Sequence, residues 1–148
     1  MRALYTIGYE GSSTATFLAA LADAGVTQLV DVRQAPVSRK PGFARRALTQ
    51  ALGEAGIGYR HEGALGAPKP LRDQVRRDGD YATFFSAYRA HLAEQWSRLE
   101  ALAREADDRI ALMCYERDVA TCHRYAVAEA LAAIRGVEPT HLVPARAE

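Results

Sequence analysis

Cysteine is scarce in this chain. Only Cys114 and Cys122 occur among 148 residues. Two cysteines do not make the disulfide framework of a small secreted domain, so reduced thiols are the expectation. Long apolar runs are absent, and none approaches the ~18 residues that a membrane span needs. No secretory signal is visible, because the chain passes from one arginine into a short apolar strand. A cytoplasmic protein without membrane contact is expected. A charge of one sign is also lacking: the net charge is +1, which gives no global basic field for nucleic acid. Lysine is nearly missing, with two of the 19 basic residues, Lys40 and Lys69, both beside prolines. Arginine bias suits bidentate oxyanion contacts, and a GC-rich genome produces the same bias.

What is present is an ordinary globular composition, 49% apolar and 25% charged. The length suits one domain over residues 1–148 with a proper core. Apolar strands are predicted at Ala3–Ile7, Gln28–Val32, Ile57–Arg60, Arg109–Met113 and Thr140–Val143. Between them lie helical patterns. The first is capped by Ser12 or Ser13 and carries Phe17, Leu18, Leu21 and Ala24. The second carries Ala44, Ala47, Leu48, Ala51 and Leu52. A short helical turn is predicted near Leu71–Arg76. The longest helix opens at Asp80, with a core stripe of Tyr81, Phe84, Phe85, Tyr88, Leu92, Trp96, Leu99 and Leu102. The last helix is predicted over Thr121–Ile134 and stops at Gly136. Strands alternating with helices imply an α/β fold: a single domain with a mostly parallel sheet of about five strands and helices on both faces.

In open parallel sheets ligands bind beyond the carboxyl ends of the strands. The residues that follow the predicted strands are Tyr9 and Glu10, then Asp31 and Arg33, then His61 and Glu62, then Cys114 and Glu116. The segment Ile110–Arg124 holds both thiols. It places Cys122, His123 and Arg124 in the first turn of the last helix, where a helix dipole and cations depress a thiol pKa. Cys122 and Cys114 are the candidate nucleophiles, with His123 as base or neighbouring cation. Adjacent helical residues point about 100° apart, so a direct Cys122–His123 pair is not implied. Arg124 shares a helical face with Val127, Ala128 and Leu131. It therefore points inward and needs a partner, Asp31, Glu116 or a bound oxyanion. Zinc is not expected, since two cysteines eight apart with an adjacent histidine do not match the close pairs of structural zinc motifs. No cofactor is indicated.

The stretch Val32–Gly53 carries Arg33, Arg39, Lys40, Arg45 and Arg46 and no acid. Arg45 and Arg46 sit in a first helical turn, where a cation opposes the dipole by roughly 0.3–1 kcal/mol, and a nearby anion would reverse that cost.

Taken together, Asp31-Val32-Arg33, Ser38-Arg39-Lys40-Pro41-Gly42-Phe43 and Cys122-His123-Arg124 resemble the bacterial and archaeal family called domain of unknown function 488. So do Thr6–Gly11, Leu65-Gly66, Cys114-Tyr115-Glu116 and His141-Leu142, so the resemblance covers nearly the full chain. It implies a small α/β domain and no particular reaction. Gln34-Ala35-Pro36 departs from the pattern, which implies a small polar residue before the proline. A looser similarity is to rhodanese-like domains, where a strand ending in Asp-Val-Arg is followed later by a strand that ends in a catalytic cysteine. That analogy implies the nucleophile position for Cys114.

Two functions stay open, an enzyme and a binding module. The first is a thiol-dependent enzyme acting on a phosphate-, sulfur- or carboxylate-bearing substrate, a small anionic molecule. Its substrate would be held by Tyr9, Glu10, Asp31, Arg33, Ser38, Arg39, Lys40, Phe43, His61, Glu116 and Arg124. The alternative is a nucleic-acid or nucleotide-binding module using the Arg33–Arg46 patch, with Phe43 or Tyr9 stacking on bases. Oligomeric state is not fixed by the sequence, and a dimer is the default.

Overall fold

The computed structural model describes residues 2–147. Five strands form one sheet: β1 (Ala3–Gly8), β2 (Gln28–Asp31), β3 (Gly58–His61), β4 (Arg109–Cys114) and β5 (Pro139–Leu142). Their order is β3-β2-β4-β1-β5 and every pairing is parallel. All five carboxyl ends therefore lie along one edge. The register sets Gly8 beside Cys114 and Asp31 beside Met113.

Six helices cover the sheet. Helices α1 (Thr14–Asp23) and α2 (Arg45–Glu54) pack Phe17, Leu21, Leu48 and Leu52 against Ile7, Leu29, Ala111 and Met113 on one face. The other face carries α3 (Lys69–Asp78), α4 (Tyr81–Glu94), α5 (Trp96–Glu105) and α6 (Arg124–Arg135). Their core residues, among them Tyr88, Leu99, Val127 and Leu131, meet Leu4, Val30, Ile110 and Leu112. Residues alternate between the two faces along each strand, as the pleat requires. The sheet is buried on both sides, so β4 reads as a continuous apolar run and not as an alternation.

Several expectations are corrected. The helix from Asp80 breaks at Gln95, whose backbone (φ −99°, ψ 16°) leaves the helical region. Trp96 is then 42% exposed and not in the core, as is the half-open Tyr81, while Leu99 and Leu102 stay fully buried. Ala47 of α2 faces solvent. The predicted turn at Leu71–Arg76 is a complete helix, α3. A proline near its start costs no hydrogen bond there, and Gly79 ends it in the left-handed conformation (φ 65°).

The most consequential correction concerns the last helix. A 3-10 turn, Val119–Thr121, comes first. Cys122 is then extended (φ −123°, ψ 137°), and α6 starts only at Arg124. The thiol lies ahead of the helix and not within its first turn.

Candidate functional site

β4 runs between β1 and β2. The chain leaves β1 toward α1 on one face and leaves β4 toward α6 on the other. The crevice at their carboxyl ends is thus a topological switch point. A cavity of about 270 Å³ opens there. Gly8 shapes its floor: a Cβ at this position would overlap the Glu116 carbonyl, so only glycine lets the loop after β4 lie across the end of β1. Gly66 plays the same part against the backbone of Gln34.

Of the residues singled out from the sequence, the cavity gathers Tyr9, Arg33, Cys114, Glu116 and His123. Glu10, Asp31, Ser38, Arg39, Lys40, Phe43, His61, Cys122 and Arg124 do not line it. Several of these hold the walls in place. Glu10 accepts the Arg117 amide at 3.0 Å, and Ser38 accepts the Lys40 amide at 3.1 Å. His61 Nε2 meets the Arg33 carbonyl at 2.9 Å. Glu62 belongs to an ion network with Arg60 and Arg98.

Arg33 lines the cavity, yet it serves as a strut. Its Nε and Nη2 donate to both carboxylate oxygens of Asp31 at 2.9 and 2.7 Å. Its Nη1 donates to the Phe43 carbonyl at 2.8 Å and to the Tyr9 hydroxyl at 3.3 Å. Asp31 also accepts from Tyr59 at 2.6 Å. Every guanidinium nitrogen is thus engaged. Tyr9 and Phe43 stack on each other, centroids 4.6 Å apart, and both are buried, so neither ring is open to a base. Arg45 and Arg46 are exposed on α2, and Arg45 lies over the Tyr59 ring.

The cations the sequence reading missed are Arg72 and Arg76, one turn apart on α3 and both at the cavity wall. Arg72 spends Nε on the Ala67 carbonyl and Nη2 on Gln34, which leaves Nη1 without a protein partner among the described residues. Neither arginine has a carboxylate within salt-bridge distance among those residues. Their i, i+4 spacing was the available signal.

The sulfur cluster lies at this end of the cavity, where Cys114 and His123 line it. Cys114 and Cys122 are joined as a disulfide, with Cα atoms 7.5 Å apart. This corrects the expectation of free thiols: the 3-10 turn brings Cys122 back against the end of β4. The extended backbone at Cys122 also brings His123 Nδ1 to 3.9 Å from its sulfur, a pairing that a helical first turn would have prevented. His123 is 7% exposed, and its Nε2 lies 2.7 Å from the Val32 carbonyl. Burial pulls its pKa down to about 4, so the ring is neutral. The α6 amides are occupied. The Arg124 amide points to Cys122 Sγ at 3.5 Å, and those of Tyr125 and Ala126 bond the Cys122 and His123 carbonyls.

Arg124 is 0% exposed and faces inward, as its helical face implies. Its partner is neither Asp31 nor a carboxylate of Glu116. Nη1 donates to the Glu116 backbone carbonyl and to Cys114 Sγ at 3.2 Å, and Nη2 reaches the Arg117 carbonyl at 3.4 Å. Nε is buried without a partner among the described residues. Burial draws its pKa down to about 10, which leaves it charged at neutral pH. The Glu116 carboxyl approaches Cys114 Sγ at 3.4 Å, and burial pushes its pKa up.

The model of one family, domain of unknown function DUF488, matches residues 13–131. The chain belongs to the DUF488 family. No curated protein and no solved structure matches it. The DUF488 match takes in the cavity walls from β2 to α6, and of the lining residues it leaves out only Tyr9. Among the described residues no helix is long and apolar enough to cross a membrane.

Proposed function

We propose that this DUF488 protein is a thiol-dependent enzyme acting on a small anionic substrate held in the cavity at the switch point. The observation that carries this reading is one juxtaposition: Cys114 faces the same cavity as Arg72 and Arg76, two arginines without carboxylate partners among the described residues. Cationic donors that face a cleft favour an oxyanion. The Arg124 guanidinium, 3.2 Å from Cys114 Sγ, favours the thiolate once the disulfide is reduced. Cys114 is the nucleophile and Cys122 the resolving thiol.

In the forward step the Cys114 thiolate attacks an electrophilic sulfur beside the anionic group, a mixed disulfide forms, and the group that leaves that sulfur takes the bonding pair. Cys122 then attacks Cys114 Sγ. The captured fragment departs with that bonding pair, and the disulfide closes. A dithiol reductant supplies two electrons and two protons to restore the thiols. Phosphate-, sulfur- and carboxylate-bearing substrates all meet the electrostatic requirement. The burial of Tyr9 and Phe43 removes the stacking surface that a nucleic-acid module would use.

The test compares alkylation of the reduced, chelator-treated chain by iodoacetate and by neutral iodoacetamide. Cys114 should react faster with the anionic reagent. Phosphate or sulfate should slow that reaction, and Arg72→Gln with Arg76→Gln should abolish the preference. Faster reaction with iodoacetamide and no protection by either anion would refute the reading.

A further inference from the structure

Three ligand atoms, Cys114 Sγ, Cys122 Sγ and His123 Nδ1, lie within 4.8 Å of one another, all on buried residues. His123 carries the decisive geometry. A carbonyl only accepts, so the 2.7 Å contact with Val32 fixes the proton on Nε2 and leaves a lone pair on Nδ1. That lone pair points toward Cys122 Sγ at 3.9 Å. A disulfide sulfur has no proton to offer. Nδ1 is therefore an acceptor in a buried site with no donor among the described residues, and buried acceptors of this kind call for a partner. An imidazole whose far N–H is anchored on a backbone carbonyl is the arrangement of a metal ligand.

The backbone spacing agrees. The cysteine Cα atoms stand 7.5 Å apart, beyond the usual disulfide range of about 4.4–6.8 Å. Two thiolates and one imidazole on a tetrahedral ion sit roughly 3.5–4 Å from one another, from bond lengths of about 2.3 and 2.0–2.1 Å. Reduction frees both cysteine side chains to rotate toward that spacing. Each sulfur also receives an N–H from Arg124, one from the amide at 3.5 Å and one from Nη1 at 3.2 Å, and such donors suit thiolates. Cys114 and His123 both line the cavity, so a fourth position would open into it.

We propose that the reduced chain binds one thiophilic divalent ion, with zinc as the natural fit, through Cys114 Sγ, Cys122 Sγ and His123 Nδ1. Reduction of the disulfide by a dithiol or phosphine supplies two electrons. Binding then releases two protons from the thiols, and two thiolates on a divalent ion are neutral together. The open fourth position takes water or an oxyanion of a cavity ligand, as at zinc sites with three protein ligands. This inference goes beyond the proposed function, because it uses His123 and does not need Cys114 to act as a nucleophile.

The experiment loads the full chain, reduced with a phosphine under anaerobic conditions, with zinc or cobalt and removes excess ion by gel filtration. One ion per chain, both thiols protected from alkylation, and a tetrahedral cobalt spectrum with thiolate charge transfer are expected. His123→Ala should lose more than the roughly 10–100-fold in affinity that removing an outer hydrogen-bond partner costs, with both thiols intact. Less than one ion per chain with both thiols reduced would overturn the proposal, and so would full affinity in His123→Ala. Should that variant fail to fold, the wild-type cobalt spectrum decides, since a non-tetrahedral or thiolate-free spectrum refutes the site. The iodoacetate test is run with chelator, so its failure and the failure of metal binding are read separately.

Discussion

The Arg33–Asp31 pair offers a sharp test of strut against ligand. Asp31 is 0% exposed, and its carboxylate is held by Arg33 at 2.7 and 2.9 Å and by Tyr59 at 2.6 Å. Arg33→Gln keeps a polar side chain but strands that carboxylate. Breaking a buried pair by removing one partner costs roughly 3–5 kcal/mol, because the remaining charge is uncompensated. For a domain of this size each kcal/mol moves Tm by about 2–4 °C, so a fall of about 6–20 °C is expected by calorimetry. The Phe43 carbonyl also loses its donor, which loosens the loop over the cavity. Adding Asp31→Asn removes both charges and should recover much of the loss, since neutral replacement of a buried pair is often close to neutral in stability. A ligand role predicts the reverse pattern. If Arg33→Gln melts within 1 kcal/mol of wild type yet loses the preference for iodoacetate, the strut assignment is wrong.

Three further outcomes follow from other positions. Gly8→Ala should destabilise by roughly 1–3 kcal/mol in urea unfolding, because its Cβ overlaps the Glu116 carbonyl and the loop must shift; unchanged stability would mean that the loop does not lie on β1. Arg135 donates to the carbonyls of Ala103, Ala106 and Asp107 at the end of α5, so Arg135→Gln should cost about 1.5–3 kcal/mol, with Arg135→Lys between it and wild type. In the metal-free protein His123 sits at about 4 against 6.5 unfolded, so below pH 6.5 the unfolded chain takes up a proton that the folded one refuses. Stability should fall as pH drops from about 6.5 to about 4, by roughly 3 kcal/mol in all, and level off below. The raised carboxyl of Glu116 gives a slope of opposite sign, so the difference between wild type and His123→Gln across this window is the measurement, and a flat difference would refute the assignment.

The architecture was legible because it depends on local signals. Five apolar runs, caps such as Ser13 and Asp80, and stops such as Gly25 and Gly136 each report their own element. The gathering of Tyr9, Cys114 and Glu116 at one edge followed from chain order in a parallel sheet. The pairings were less legible, because they depend on strand order. Nothing local to β4 says that it inserts between β1 and β2, and that insertion lays the Glu116 loop on Gly8 and brings His123 to Val32. Arg72 and Arg76 were hidden by the prolines near the start of α3, which suggested a turn where a full helix forms. Asp31 and Arg33 stand two residues apart and point to the same face, so their pairing was within reach of a period-two reading.

Arg124 touches both the sulfur pair and the loop after β4. A buried guanidinium was expected to have either a carboxylate or a ligand oxyanion. It has carbonyl dipoles and one sulfur instead. Carbonyls satisfy only some of its N–H groups, with Nε unpartnered among the described residues, and they carry no net charge to set against the guanidinium in a buried site. Glu116 and Asp118 offset part of that charge through space, and a Cys114 thiolate, with its sulfur 3.2 Å from Nη1, would set an anion in direct contact with it. Arg124 therefore favours the reduced, ionised cysteine over the neutral disulfide when that thiolate is free, and it still donates an N–H to the sulfur when the thiolate holds an ion. A nucleophile needs only the cation beside its sulfur. A metal needs the lone pair on His123 Nδ1 as well. Arg124→Met should impair both anion-directed alkylation and metal binding, whereas His123→Ala should impair metal binding alone. A variant series in which the two substitutions behave alike would mean that the sulfur pair and the histidine act as one unit.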